Sequence, residues 1–268
     1  MVRILLAAKH APHGPRPTGG VQSWCRTVAR ELADRGHDVV TWGPGQTTPL
    51  GGFDLGIIAN ATDTARAFAW CRKRIVISHG IIPAEDPRPD RHGSPVVYTS
   101  EGVRDHWGGA GQIIRQPINL DFWKPAPALR AYLTRFSYRG GLNFVRQLAG
   151  PLKLSYVHVK NSPPIAVRST LRRSACVLAT GRAALEAMAC GAPTVLCDHR
   201  SAYQRPLMDL DLTTAAERNY SGRGGIVPTL NNTREAIEQA IERGSMRNYV
   251  KKYHAVADIV DQLLEAAG

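Results

Sequence analysis

Apolar runs of strand length alternate with helical patterns along nearly the whole chain, and this beat limits the fold more than any other feature. "VRILLAA" (residues 2–8) is continuously apolar, as a strand buried on both faces of a parallel sheet must be. A Gly/Pro-rich loop, "KHAPHGPRPTGG", follows. From there Val21, Trp24, Cys25, Val28 and Leu32 recur at helical spacing, and Gly36 is placed to close the helix. The series continues with "HDVVTWGP" and "FDLGIIAN" as strands, "ATDTARAFAWCRK" as helix and "RIVISHG" as strand. "SPVVYTSEGVRDHWG" runs from strand into helix, and "GQIIRQP" is a further strand. Such alternation predicts an α/β fold with a doubly wound parallel sheet and right-handed crossovers.

A second series starts at "RAYLTRF" and runs through helix "GGLNFVRQLAG", strand "KLSYVHV", helix "IAVRSTLRRS", strand "ACVLAT", helix "RAALEAMACG", and strands "PTVLCD" and "GGIVPT". Pro117, Pro125 and Pro127 mark a linker between the two. Two Rossmann-like domains are therefore expected, residues 1–125 and 126–268. In the tail, "NNTREAIEQAIERG" carries an Asn-x-x-Glu cap pattern at Asn232 and Glu235. "RNYVKKYHAVADIVDQLLEAA" reads as one amphipathic helix, expected to pack back on the first domain.

Composition sets the bounds. The 268 residues are 43% hydrophobic, which supports ordinary cores and argues against disorder. No run approaches the roughly 18 apolar residues that span a bilayer. The N-terminus reaches Lys9 and His10 too soon for a secretory core, so a cytoplasmic location without a transmembrane segment is expected. Cys25, Cys71, Cys176, Cys190 and Cys197 form no metal-ligand spacing and read as reduced, mostly buried thiols. Against 22 Asp and Glu stand 34 Lys and Arg, a net +12. That excess suits an anionic partner such as nucleic acid, an acidic membrane surface or a phosphorylated small molecule, or it follows from an Arg-rich genome.

Ligands of open α/β sheets bind beyond the carboxyl ends of the strands. Gly19 and Gly20 open the first helix, where bare amides attract phosphate. His79 ends "RIVISHG", as a functional side chain or a satisfied loop residue. Arg135 and Arg139 flank a strand end beside a Gly-Gly, as a diphosphate clamp or as solvated arginines. Thr180, Gly181 and Arg182 lead into a helix that carries Glu186 one turn in. That carboxylate could accept from a vicinal diol or simply pair with Arg182.

These residues resemble the retaining GT-B glycosyltransferases, in particular glycosyltransferase family 4, in a compact version. "GGVQSWCRTVARELADRGHDVVTWGP", "VVYTSEGVRDHW", "IIRQPINLDFWKP" and "LEAMACGAPTVLCD" are similar to that family's segments and occur in its order. The resemblance implies two Rossmann-like domains facing each other across a cleft, an acceptor side first and a donor side second. It implies transfer of a hexose from a nucleotide diphosphate sugar, UDP-glucose or a similar donor, as co-substrate. Retention, no cofactor and no metal go with it. It places Gly19 and Gly20 by the donor phosphates and His79 at the transferred sugar. Arg135 and Arg139 would lie on the diphosphate, Gly181 and Arg182 beside it, and Glu186 on the ribose. The family's paired glutamates would put the first at Leu178, inside a strand, so the loop that usually carries it reads as deleted here. "DLD" at Asp209 to Asp211 reads as a loop or helix-cap feature rather than a metal site.

No motif names the acceptor. The charge favours a hydroxymethylated base in DNA, the work of a phage-encoded enzyme in a bacterial cell. Lys9, His10, His13, Arg16 and Glu101, with the loop "DPRPDRHG", are the candidate contacts. A surface polysaccharide or a lipid-linked acceptor with peripheral membrane contact is the alternative. An epimerase and a non-catalytic binder of nucleotide sugar or nucleic acid are readings from other classes.

Overall fold

The structure is a computed structural model that describes residues 1–8, 19–60, 69–81, 88–89, 93–136, 144–197, 212–221 and 228–268. The chain divides into two compact units: unit 1, Met1–Pro117 with His254–Gly268, and unit 2, Ile118–Tyr253.

Unit 1 holds strands β1 (Arg3–Ala8), β2 (Asp38–Trp42), β3 (Phe53–Ala59), β4 (Cys71–Ser78), β5 (Val96–Tyr98) and β6 (Gln112–Ile113). They form one sheet in the order β2-β1-β3-β4-β5-β6, every pair parallel. Its continuous apolar strands are buried on both faces, as the runs of Ile, Leu and Val require. One face packs helix α1 (Gly20–Asp34), through Trp24, Cys25, Val28 and Leu32, and the C-terminal helix, through Ile259, Val260 and Leu263. The other face buries Trp42, Phe53, Val76 and Tyr98 with helix α2 (Glu101–Trp107), which Ser100 caps by accepting the Val103 N–H at 3.3 Å. Gly36, left-handed at φ 84, closes α1.

Unit 2 holds β7 (Tyr132–Phe136), β8 (Ser155–Val159), β9 (Ser174–Ala179) and β10 (Thr194–Leu196), parallel and in the order β10-β9-β7-β8. Its helices are α3 (Val145–Ala149), α4 (Pro164–Arg172), α5 (Gly181–Ala189), α6 (Leu212–Glu217), α7 (Leu230–Arg243) and α8 (Arg247–His254), whose last residue belongs to unit 1; α9 (Val256–Ala266) follows it there. One core layer joins α4, α5 and α6 to the sheet, and another joins α3 and α7 to its opposite face.

Several expectations are corrected. The unit boundary falls after Pro117, not at 125, because Ile118 and Trp123 are buried in the core of unit 2. The helix expected to reach Lys73 gives way to β4 at Cys71, which pairs with Phe53. The cap of α7 is Thr229, which exchanges hydrogen bonds with Asn232 at 3.2 and 2.8 Å, rather than Asn232 with Glu235. The single tail helix is two, broken at Ala255, where ψ is 127°. Next to the break, the buried His254 Nδ1 lies 2.8 Å from the Gln116 carbonyl oxygen. The expected strand "GGIVPT" and the Asp209 to Asp211 segment lie outside the described residues.

Candidate functional site

Where the strand order reverses, the loops leaving adjacent strands part to opposite faces and open a crevice for ligands. In unit 2 this point lies between β7 and β9, since β8 flanks β7 on one side and β9 on the other. Arg135 stands in β7 one residue from its carboxyl end, in register with Leu178 of β9 and His158 of β8. It is only 4% exposed and shares the face of Leu133 and Leu178, over which α3 and α7 pack. Arg139, its expected companion, lies outside the described residues. His158, exposed on the edge strand beside Arg135, was not singled out from the sequence, although its place near a strand's carboxyl end was the available signal.

On the other side of the crevice β9 delivers the chain to α5. Gly181 is left-handed at φ 55 and donates its N–H to the Tyr220 carbonyl at 2.7 Å, so the first amide of α5 is already taken. A β-carbon on Gly181 would meet nothing within 4 Å among the described residues, so glycine answers to the dihedral and not to space. Gly181→Ala is expected to cost about 1 kcal/mol of stability, read by denaturant unfolding. Tyr220 has no sequence signal. It too is left-handed, at φ 55, and its buried hydroxyl lies 2.7 Å from that of Tyr249. At the start of α5, Arg182 Nε donates to Oε1 of Glu186, one turn on, at 2.9 Å, with side chains 6% and 13% exposed. The pair read from the spacing is therefore formed, but it is packed against the helix and not solvated on a surface. Glu186 thus sits in the helix that leaves the crevice, with the Arg182 guanidinium against its charge.

In unit 1 the reversal lies between β1 and β3. Gly19 caps α1 and donates its N–H to Gln22 Oε1 at 2.9 Å, with Gly20 as the first helical residue. Lys9, His10, His13 and Arg16, in the loop before it, lie outside the described residues. His79, 6% exposed, follows β4, and its backbone is held from three sides. Its N–H donates to Asn60 Oδ1 at 3.1 Å, its carbonyl accepts from Thr99 Oγ1 at 3.2 Å, and the next carbonyl, of Gly80, accepts from Trp107 Nε1 at 2.9 Å. The ring meets Trp24 edge to face, centroids 5.0 Å apart. Asn60, left-handed at φ 46 at the end of β3, was missed, though an Asn closing an apolar strand is the residue that tolerates that dihedral. Glu101 heads α2, and both its oxygens are held at 2.7 Å by Arg115.

Burial pushes the Cys71 thiol up to about 11 and those of Cys176 and Cys190 to about 12, and none of the five cysteines is in a disulfide. Thiols this far from ionised are inert at neutral pH. The described residues hold no group of three or more His, Cys, Asp or Glu placed for a metal ion, and no helix among them is long and apolar enough to cross a membrane.

No family model matches the chain, and no curated protein matches it by sequence. Solved structures match its fold over almost its whole length. A glycosyltransferase of avilamycin A biosynthesis is 14% identical, with 99% of this chain and 96% of that one covered at a TM-score of 0.63. An alpha-glucosyltransferase in complex with UDP and a 13-mer DNA containing an HMU base is 9% identical, with 99% of each chain covered at 0.62. Sucrose-phosphate synthase from Thermosynechococcus elongatus is 12% identical, covering 99% and 98% at 0.57. The chain thus has the fold of the GT-B glycosyltransferases, two Rossmann-like units.

Proposed function

We propose that this protein is a retaining glycosyltransferase of the family 4 kind that moves a hexose from UDP-glucose or a similar donor to an acceptor hydroxyl without a metal ion. The observation that carries this reading is that neighbouring strands at the switch point of unit 2 end in a buried arginine, Arg135 of β7, and in the start of α5, which carries the packed Arg182 and Glu186. A buried guanidinium fork suits a diphosphate whose charge grows as the glycosidic bond breaks. Arg135, with Arg139, takes that role. Gly181 and Arg182 lie beside the phosphates, Glu186 accepts from the ribose hydroxyls, Gly19 and Gly20 adjoin the phosphates, and His79 holds the transferred sugar. The proposed acceptor is a hydroxymethylated base in DNA. Supporting it are the net charge of +12 and the likeness to an enzyme solved with UDP and HMU-containing DNA.

The test is a panel of labelled UDP-sugars, with and without hydroxymethylated duplex. Acceptor-dependent UDP release supports transfer; sugar interconversion without acceptor would make the protein an epimerase, and neither would make it a binder. Glu186→Gln keeps the shape but halves the accepting power. It is expected to weaken UDP binding about tenfold, ~1.4 kcal/mol, the scale of one charge-assisted hydrogen bond. Unchanged binding in calorimetry would remove Glu186 from the donor site.

A further inference from the structure

The basic excess is not shared between the units. Unit 1 carries 14 Lys and Arg against 13 Asp and Glu, a net +1, whereas unit 2 carries 20 against 9, a net +11. The pairing differs as well. In unit 1, Arg3, Arg35, Arg104 and Arg115 face Asp38, Glu31, Asp105 and Glu101 within 3.1 Å. In unit 2, Lys124, Arg130, Arg168, Arg172, Arg173 and Arg247 gather around the segment after Ile118, and none has a carboxylate partner among the described residues.

Carbonyls hold this cluster together. Arg168 donates to Phe122 O at 3.3 Å and lies over the Phe122 ring. Arg172 donates to Lys124 O at 2.8 Å, and Arg247 donates to Leu120 O and Trp123 O at 3.2 and 2.8 Å. Arg173 lies over the Tyr132 ring, and its carbonyl accepts the Ala131 N–H, which sets it beside Arg130. Burial raises the Cys190 thiol, and Arg172, Glu186, Arg247 and Arg168 all act on it, the three arginines opposing that push and Glu186 adding to it, so the three cations share one neighbourhood with Glu186. Backbone carbonyls satisfy donors without cancelling charge, so six cations stand against Glu186 and Asp121 among the described residues nearby, and the field of the cluster is net positive. Lys124, Arg130 and Arg173 are exposed. Arg130 precedes β7 and Arg173 precedes β9, so these exposed cations lie at the amino-terminal edge of the sheet, opposite the strand ends that carry Arg135 and lead to Gly181.

We propose that this face of unit 2 grips the phosphate backbone of a DNA duplex, as an anchor separate from the donor crevice. Six cations spread over several elements suit a polymer of phosphates better than one small anion, and planar forks suit phosphodiester oxygens. A bilayer would call for apolar side chains to insert, and Leu129 is the one large apolar residue exposed in this stretch. The proposal rests on the DNA-acceptor reading for its purpose, while binding alone tests it without donor or turnover.

The experiment measures a short fluorescent duplex, modified and unmodified, by anisotropy across a salt series. The triple variant Lys124→Ala, Arg130→Ala, Arg173→Ala is compared with Arg30→Ala, Arg72→Ala, Lys73→Ala, all exposed cations of unit 1 outside the candidate contacts. The unit 2 variant is expected to bind at least about tenfold more weakly, and its salt slope to fall by about 1 for each phosphate that is no longer neutralised. The unit 1 variant stays within about twofold of the unaltered protein, and both keep UDP affinity, since Arg130 and Arg173 precede strands β7 and β9 of unit 2, and Arg72 and Lys73 stand at the start of β4 in unit 1, away from the carboxyl ends of their own sheets. Equal losses in the two variants, or none in the unit 2 variant, overturn the proposal. So does retention on phosphatidylglycerol vesicles, abolished in the unit 2 variant, without any binding of DNA. Failure to bind UDP would count against the donor reading alone.

Discussion

An Arg135→Met variant is expected to turn over roughly 100-fold more slowly or worse, with UDP affinity changed far less. Arg135 is 4% exposed in the strand at the middle of the switch point, so its charge is held in a medium where it is worth more than in water. Charge on a departing diphosphate grows as the reaction proceeds, and a fixed guanidinium that meets it lowers the barrier more than it tightens the ground state. A buried substitution can itself unfold the protein, so the melting temperature is read beside the rate. Methionine is unbranched and apolar, fills the space of the arginine stem and brings no charge into the core. A retained melting temperature together with a collapsed kcat is therefore the expected pattern. Arg135→Lys, which restores a charge without the fork, should recover part of the rate. If Arg135→Met keeps full turnover, the diphosphate is bound elsewhere and the assignment of the crevice fails.

The alternation of strands and helices could be read from the sequence because both faces of the parallel sheets are buried, leaving runs such as Ile4 to Ala8 without a polar break. Where the reading slipped, a local pattern had a competitor that only tertiary contact resolves. Arg72 and Lys73 look like the polar end of a helix, yet they are the exposed start of β4, fixed by the pairing of Phe53 with Cys71. Thr229, Asn232 and Glu235 offer two overlapping cap boxes, and the one that closes is the one whose first residue is extended, at ψ 169°. Ala255 is a good helix former, and nothing local predicts the break there. For the candidate site, the spacing of Arg182 and Glu186 announced their contact but could not tell an exposed pair from a packed one. Tyr220 was invisible because it acts through a backbone carbonyl, which every residue owns. The distribution of charge was hidden by its total, since +12 says nothing about which unit carries it until the unit boundary is known.

Replacing Trp24 with alanine is expected to cost unit 1 about 3–5 kcal/mol, a large share of the ~5–15 kcal/mol that holds a domain of this kind together. The indole is 1% exposed, packed between α1 and the sheet with Val28, Ile57 and Ile77, so its removal leaves a cavity the close-packed strands cannot collapse into. It is also the wall against which the His79 ring stands, at 5.0 Å and 82°. The histidine's backbone does not depend on that wall. Asn60, Thr99 and Trp107 hold residues 79 and 80 through hydrogen bonds on other elements. Trp24→Phe should therefore keep most of the stability, since an aromatic ring still fills the site, while giving the His79 ring freedom to turn. Denaturant unfolding read against acceptor-dependent turnover separates the two consequences. Trp24→Ala should lose both stability and turnover, and Trp24→Phe should lose turnover out of proportion to stability. If turnover instead falls only in step with the folded fraction in both variants, Trp24 is a core residue alone and the orientation of His79 does not matter to the reaction.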